Sequence, residues 1–422
     1  MPFTTPRPAR PYLALPDGWD TAWRAAKEAS GVTPAWVAVL GDSIAQGFNA
    51  DDTAADGWFG KLRSGLSARY PTIYGDWYGV GESVAAASAF AGTPPWVLST
   101  GGDAGTLQVG NAGLDRNATW SGVGAGPVAA FTSPYVATQL DVILSKWFAA
   151  AGTVTFTVSL AGGDIVPTVS PTIAGFGINS HSYSAGGDLL TVVVDVPATN
   201  AAMPLLRVAL TGLTSAAHVV TFTAQSADNI LGLQGICLYK ASTGIGYAKL
   251  ASTGQETPHW IAASLTSVAK PTNRPMLMQG YTTTSQNTVG FGFPTQPSLC
   301  ILAYGLNDCS NANGPEMVAR TLDRWAMALR RGADNCSLLF VANSNPDGVS
   351  SDVTSGLLTN SKFWHLYLRE IELAAARWNG AFLNVHTLYG QRSAAAGYQL
   401  STNMHPVNAG HTLIANTILG VI

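Results

Sequence analysis

The hydrophobic pattern of this chain changes character along its length. Residues 35–43, AWVAVLGDS, form a short apolar run closed by a glycine, the pattern of a fully buried parallel strand at its carboxyl end. Two later runs, PSLCILAYGLND from Pro297 and SLLFVANSN from Ser337, have the same form. Between them Val318, Leu322, Trp325 and Leu329 recur at helical spacing, and Trp364, Leu368, Ile371, Ala375 and Trp378 do so afterwards. Strands alternating with amphipathic helices predict a parallel sheet with helices on both faces. The chain after about Gly244 therefore reads as α/β.

From about Gly126 to Lys240 the period shortens to two, as in TVTFTVSLAGG, LLTVVVDVP, LLRVALTGL and HVVTFTAQS, with turn residues between. Thr and Val suit a pleated, half-buried surface, and no helical stretch intervenes. This segment predicts a β-sandwich or jelly roll inserted into the α/β domain, because the first α/β strand precedes it and the others follow. Residues 96–125 are Gly-rich and weakly patterned, so the start of the insert is uncertain by about twenty residues. The expected division is 1–30, a proline-rich arm and the start of a helix (DTAWRAAKEA); 31–95 with 243–422, a discontinuous α/β domain; and 96–242, the insert.

Composition narrows the classes of function. Among 422 residues, 47% are apolar and only 11% charged, with a net charge of -3, which suits a neutral protein with a sizeable core. No basic run exceeds Arg330-Arg331, so nucleic acid is not an expected partner. No apolar stretch reaches the ~18 residues of a membrane span, and the prolines at 2, 6, 8, 11 and 16 interrupt any secretion-signal helix. Cys237, Cys300, Cys309 and Cys336 stand at irregular spacings, which predicts free thiols, with no disulfide framework and no zinc site.

The chemistry-bearing residues lie at strand ends. Gly41-Asp42-Ser43 closes the first buried run, where open α/β sheets bind ligands, and the following IAQGF can begin a helix whose amino-terminal dipole favours a developing anion. Taken alone, the tripeptide fits a helix-capping serine better than a nucleophile. Gly254 follows another strand-like run, and Asn307 in YGLND ends the next. With the Ser43 amide they supply three donors for an oxyanion. His405, in STNMHP, offers a base, and serine with histidine is the pair that nucleophilic acyl transfer requires.

Gly41-Asp42-Ser43, Gly254, Gly305-Leu306-Asn307-Asp308 and His405-Pro406 resemble, in order and in block sequence, the four blocks of the SGNH (GDSL-type) hydrolases. The resemblance covers roughly residues 31–75 and 244–422, and the G-x-N-D and MHPVNAGH segments are its specific parts. It implies a flavodoxin-like three-layer fold, Ser43 as nucleophile, His405 as general base, and an oxyanion hole of Ser43, Gly254 and Asn307, with no metal or cofactor. Members of the family usually place an Asp three residues before the histidine, where this chain has Thr402. A main-chain carbonyl near Ser401 or Thr402, or Asp347 on its loop, is then left to orient the ring, although Asp347-Gly348 also reads as a plain turn. The insert resembles, by pattern alone, a β-rich module of some phage-tail and actinobacterial esterase-like proteins.

Other candidates read as structural: Ser83 in a loop, His411 on the terminal helix, His365 in a helix and His386 near a strand end. Trp58, Trp77, Trp96, Trp120 and Trp260 fall in Gly/Pro-flanked segments where a ring can stack on a sugar, though core or interface burial is the commoner fate of such residues. The sequence thus points to a serine esterase acting on acylated polysaccharide or a small ester, with O-acetyl the expected group. The alternative is a glycan-binding phage-tail or surface adhesin on the same scaffold. Both imply an extracellular or virion-associated protein, and neither fixes its oligomeric state. A long-chain lipase would need an apolar lid helix, and none stands out near the blocks.

Overall fold

The computed structural model describes residues 12–52, 55–79, 96–98, 106–109, 118–121, 129–146, 152–160, 165–170, 176–196, 205–224, 231–251, 257, 297–310, 313–330, 336–343, 363–389, 397–398 and 405–422. In chain order the first elements are β1 (Leu13–Ala14), α1 (Thr21–Ala29), β2 (Ala35–Gly41), α2 (Ser43–Gln46), α3 (Trp58–Arg69) and β3 (Ile73–Gly79). An all-β stretch follows: β4 (Trp96–Leu98), β5 (Thr106–Val109), β6 (Ala118–Ser121), β7 (Ala129–Thr132), β8 (Ala137–Lys146), β9 (Gly152–Ser159), β10 (Thr168–Ser170), β11 (Gly177–Tyr183), β12 (Leu189–Val196), β13 (Leu205–Ala216), β14 (Val219–Ala224) and β15 (Leu231–Tyr239). The chain then resumes α/β alternation with β16 (Ile245–Ala251), β17 (Leu299–Tyr304), α4 (Leu306–Ser310), α5 (Pro315–Leu329), β18 (Ser337–Ala342), α6 (Trp364–Arg377), β19 (Ala381–Asn384), α7 (Val385–Tyr389) and α8 (Asn408–Leu419).

Parallel strands in the spatial order β3-β16-β2-β17-β18-β19 form the centre. Every residue of β2 is buried because both faces are covered. Trp36, Ala38 and Leu40 share a core with Val318, Leu322, Trp325 and Leu329 of α5 and with Trp364 and Ile371 of α6. Val37 and Val39 face the other way, toward Trp23 of α1, Trp58 and Leu62 of α3, and Ile414 and Ile418 of α8. Each such side chain contributes about 1.5–3 kcal/mol of transfer free energy, which fixes both helical layers onto the sheet. The short β1 adds an antiparallel edge on β19 that apolar periodicity did not reveal.

Two expectations are corrected. A flavodoxin-type order sets the second parallel strand beside the first, whereas here β16 takes that place and β3 lies outside it. The second strand is on the outside in either order, and β15 pairs antiparallel with the outer edge of β3, Cys237 opposite Trp77 and Leu238 opposite Asp76. β8, β13 and β10 continue the same sheet, so one layer of the β-rich segment is continuous with the α/β sheet. An open edge is a row of unpaired N–H and C=O groups, and the returning chain fills it. A second sheet, β11-β12-β9-β14-β7-β4, packs against this extension, with Phe156, Val192, Val220 and Phe222 in one core with Tyr78, Val142 and Ile236. Trp58, Trp77 and Trp96 lie in α3, β3 and β4 and are buried, not looped out for sugar stacking. The side chain of Trp120 and all of Trp260 lie outside the described residues.

Candidate active site

The carboxyl ends of the parallel strands line up, with Gly41 of β2 opposite Ala251 of β16 on one side and Ala303 of β17 on the other. Strand order reverses at β2, since the chain goes to β3 and β16 on one side and to β17, β18 and β19 on the other. Open α/β sheets carry their ligand crevice at such a point. Gly41 makes the turn possible: a Cβ there would sit 2.3 Å from the Ala45 Cβ and 3.0 Å from the Ala303 carbonyl oxygen. Asp42 then caps α2, its carboxylate accepting the Ile44 N–H at 3.0 Å.

Asp42, not Ser43, is therefore the cap, and Ser43 becomes the first helical residue. Its Oγ lies 2.7 Å from Nε2 of His405, 362 positions away. The expected help from a helix dipole is also corrected, because α2 is a single turn of four residues ended by Gly47 at φ +103°.

His405 sits half-buried just ahead of α8. The Phe48 ring lies against it, centroids 4.3 Å apart and planes 32° from parallel, while the Phe48 N–H donates to the Ser43 carbonyl at 2.9 Å. Burial, and then the nearby His411, push the His405 imidazole down to about 3. The ring is neutral at ordinary pH, and an Nε2 that accepts the Ser43 hydroxyl proton leaves the ring hydrogen on Nδ1. A neutral imidazole within hydrogen-bond reach of a hydroxyl can take its proton as that oxygen attacks an electrophile.

Two buried carboxylates hold the surrounding loops. Nδ2 of Asn343, immediately after β18, donates to both oxygens of Asp42 at 3.1 and 2.9 Å. Burial pushes Asp42 up to about 7, against the lowering effect of bonds from Ile44, Asn343 and Ala45. Asp308 accepts the Thr257 N–H and, at 2.7 Å, the Thr257 hydroxyl, tying the loop after β16 to α4. Asn307 lies on the first turn of α4, after Gly305 at φ +114°, a left-handed backbone that disfavours a side chain.

The fold thus brings Ser43 and His405 together and sets Asn307 at the same edge of the sheet. Gly254, Asp347, Ser401, Thr402 and Ser83 lie outside the described residues. His411 lies buried on α8, His365 is exposed on α6 and His386 half-exposed on α7. Sequence reasoning missed the roles of Asn343, Asp308 and Phe48. The only signal was a polar residue ending each buried run. All four cysteines are buried free thiols, and among the described residues no group of three metal-binding side chains gathers.

No family model matches the chain, and no curated protein matches it. Solved structures do. A peptidoglycan O-acetylesterase aligns over 97% of this chain and 97% of its own, at 13% identity and a TM-score of 0.47. A family 2 carbohydrate esterase with a carbohydrate-binding domain, from Corynascus thermopiles (Myceliophthora fergusii), aligns over 70% of this chain and 94% of its own, at 14% identity and a TM-score of 0.29. A family two carbohydrate esterase from Clostridium thermocellum, in complex with cellohexaose, aligns over 77% and 97%, at 12% identity and a TM-score of 0.28.

Proposed function

We propose that this chain is a serine ester hydrolase of the SGNH type, with Ser43 as nucleophile and His405 as general base. The observation that carries the reading is the 2.7 Å approach of Ser43 Oγ to His405 Nε2 at the switch point of the sheet. In the first half-reaction Ser43 Oγ attacks the acyl carbonyl while Nε2 takes its proton, and the imidazolium then protonates the departing alkoxide. In the second, water attacks the acyl-enzyme with Nε2 again as base, and collapse returns the serine and releases the acid.

The negative charge on the tetrahedral oxygen is assigned to the Ser43 and Gly254 amides and the Asn307 side chain. Each preorganised donor of this kind is worth about 2.7–4 kcal/mol of transition-state stabilisation. With Thr402 where relatives carry Asp, a main-chain carbonyl of Ser401 or Thr402 is our assignment for the Nδ1 proton, ahead of Asp347. The substrate class is an O-acetylated carbohydrate, supported by the two-sheet β region joined to the catalytic sheet through β3 and β15. An extracellular or virion-borne setting fits such a substrate. The second reading, a glycan-binding adhesin with little turnover, is motivated by Thr402.

A chromogenic acetyl ester and acetylated polysaccharides separate these readings. Wild-type protein releases acetate and gains one phosphonyl mass at Ser43 from a fluorophosphonate, and Ser43→Ala does neither. Folded wild-type protein inert to both reagents ends the ester-hydrolase reading, and retained glycan binding would then favour the adhesin.

A further inference from the structure

The nucleophile and the base stand on segments with no covalent reason to stay in register. What joins them is the first turn of α8. Nδ1 of His411 accepts the Trp58 N–H at 3.3 Å, so Nε2 carries the ring hydrogen and donates it to the Phe48 carbonyl at 3.1 Å. Three residues earlier, Asn408 Oδ1 accepts the Asp51 N–H at 3.0 Å while its Nδ2 donates to the Asp51 carboxylate at 2.6 Å. Both side chains therefore grip main-chain groups of the loop that runs from Ser43 to α3.

That loop is also shaped to present one ring. Phe48 stands between Gly47 at φ +103° and Asn49 at φ +67°, two left-handed residues in succession around it. Glycine takes that backbone freely and asparagine tolerates it, so the chain turns on either side of the ring. The ring so placed lies on the face of His405, 4.3 Å between centroids. His411 itself is fully buried; it reaches the Phe48 carbonyl directly, and its nearness also helps to hold the His405 imidazole down.

We infer that His411 is a positioning residue: as a neutral imidazole with both nitrogens bound to the main chain, it sets Phe48 against His405 and so keeps the base aligned on Ser43, with Asn408 as its second anchor. The assignment rests on the ester-hydrolase reading above. Its effect passes through the base, so its loss falls on kcat.

The test compares His411→Phe, which fills the volume and removes both bonds, with His411→Gln, which keeps a donor near the Phe48 carbonyl, and with Ile418→Ala, an equally buried change on the same helix. Expected for His411→Phe is a kcat drop of about tenfold or more on a small acetyl ester with KM little changed. His411→Gln recovers most of it, and Ile418→Ala lowers the melting temperature with kcat kept. Should His411→Phe not fold, Phe48→Leu and His411→Gln carry the same comparison. Equal kcat in wild type and His411→Phe, or equal losses in His411→Phe and Ile418→Ala at matched stability, overturns the inference. If wild type shows no turnover, the hydrolase reading fails separately. The imidazole NMR signals of His405 then decide, since His411→Phe must move or broaden them while Ile418→Ala leaves them in place, and unchanged signals reject the positioning role.

Discussion

Asp308 and Thr257 are joined three times: the Thr257 N–H lies 3.0 and 3.1 Å from the two carboxylate oxygens, and its hydroxyl donates at 2.7 Å. Both residues are fully buried. The carboxyl group of the G-x-N-D segment thus works on the neighbouring loop. Bonds to a charged acceptor are worth about 1.5–3 kcal/mol each, and a buried donor left unsatisfied adds its own penalty. Asp308→Ala is expected to lower the unfolding free energy by about 3 kcal/mol in urea titrations and to reduce kcat, because Asn307 is the adjacent residue. Asp308→Asn keeps one acceptor oxygen and loses less. A variant as stable as wild type would mean that the clamp contributes nothing.

Asn343 makes the matching prediction on the other side of β2. Replacing it with Leu removes the amide that reaches both Asp42 oxygens and leaves the carboxyl to the Ile44 and Ala45 amides. Losing a buried hydrogen bond of this sort costs about 1 kcal/mol or more, and without the lowering contact from Asn343 Asp42 titrates still higher. Thermal melts of Asn343→Leu against the conservative Asn343→Gln test this. Indistinguishable melting temperatures would show that the amide is not a support of the cap.

What could be read from the sequence, and what could not, follows from the range of the interactions. The runs that became β2, β17 and β18 were legible because strands buried on both faces exclude polar residues along their whole length. The stripes of α5 and α6 were legible for the same reason at a different period. Ser43 and His405 were legible as residue types, but the 2.7 Å between them belongs to the packing of α3 and α8 on one face. Sheet continuity through β3 and β15 was hidden, since an alternating pattern says that a strand has an inside, not which strand it pairs with. Phe48 and His411 were hidden too, because their roles exist only as contacts between the ends of the chain.

Burial of ionisable groups predicts how stability varies with pH. His405 and His411 are pushed down to about 3 and about 4 from 6.5, by burial first. Below 6.5 the unfolded chain binds protons at both that the folded protein refuses, so their effect is a loss of stability as pH falls. Asp42, pushed up to about 7 from 3.8, acts oppositely: the folded protein keeps a proton that the unfolded chain releases, so its effect is a loss as pH rises through that window. Between 4 and 6.5 each histidine contributes about 1.4 kcal/mol per pH unit in favour of higher pH, and Asp42, with Asp141, which burial also raises, opposes them. Urea titrations across this range measure the slope. His411→Phe should flatten it, and a slope unchanged in that variant would place the proton uptake elsewhere.

The pH dependence of turnover distinguishes the two proposed partners of the His405 ring. A base pushed down to about 3 stays neutral through mildly acidic solution, and only protonation of Nε2 removes its ability to accept from Ser43. The acid limb of kcat/KM should therefore fall well below the ordinary 6.5, with activity near pH 5 close to that at pH 7. An ionised carboxylate on Nδ1 favours the imidazolium and would pull the midpoint up by about one unit or more. A main-chain carbonyl carries no such charge and leaves the midpoint low. A measured midpoint at or above 6.5 would thus reject the carbonyl of Ser401 or Thr402 in favour of Asp347, and Asp347→Asn would then move that midpoint down. A low midpoint unaffected by Asp347→Asn leaves the main chain as the ring's partner and explains how a chain with Thr402 in the acid's place still holds an active imidazole.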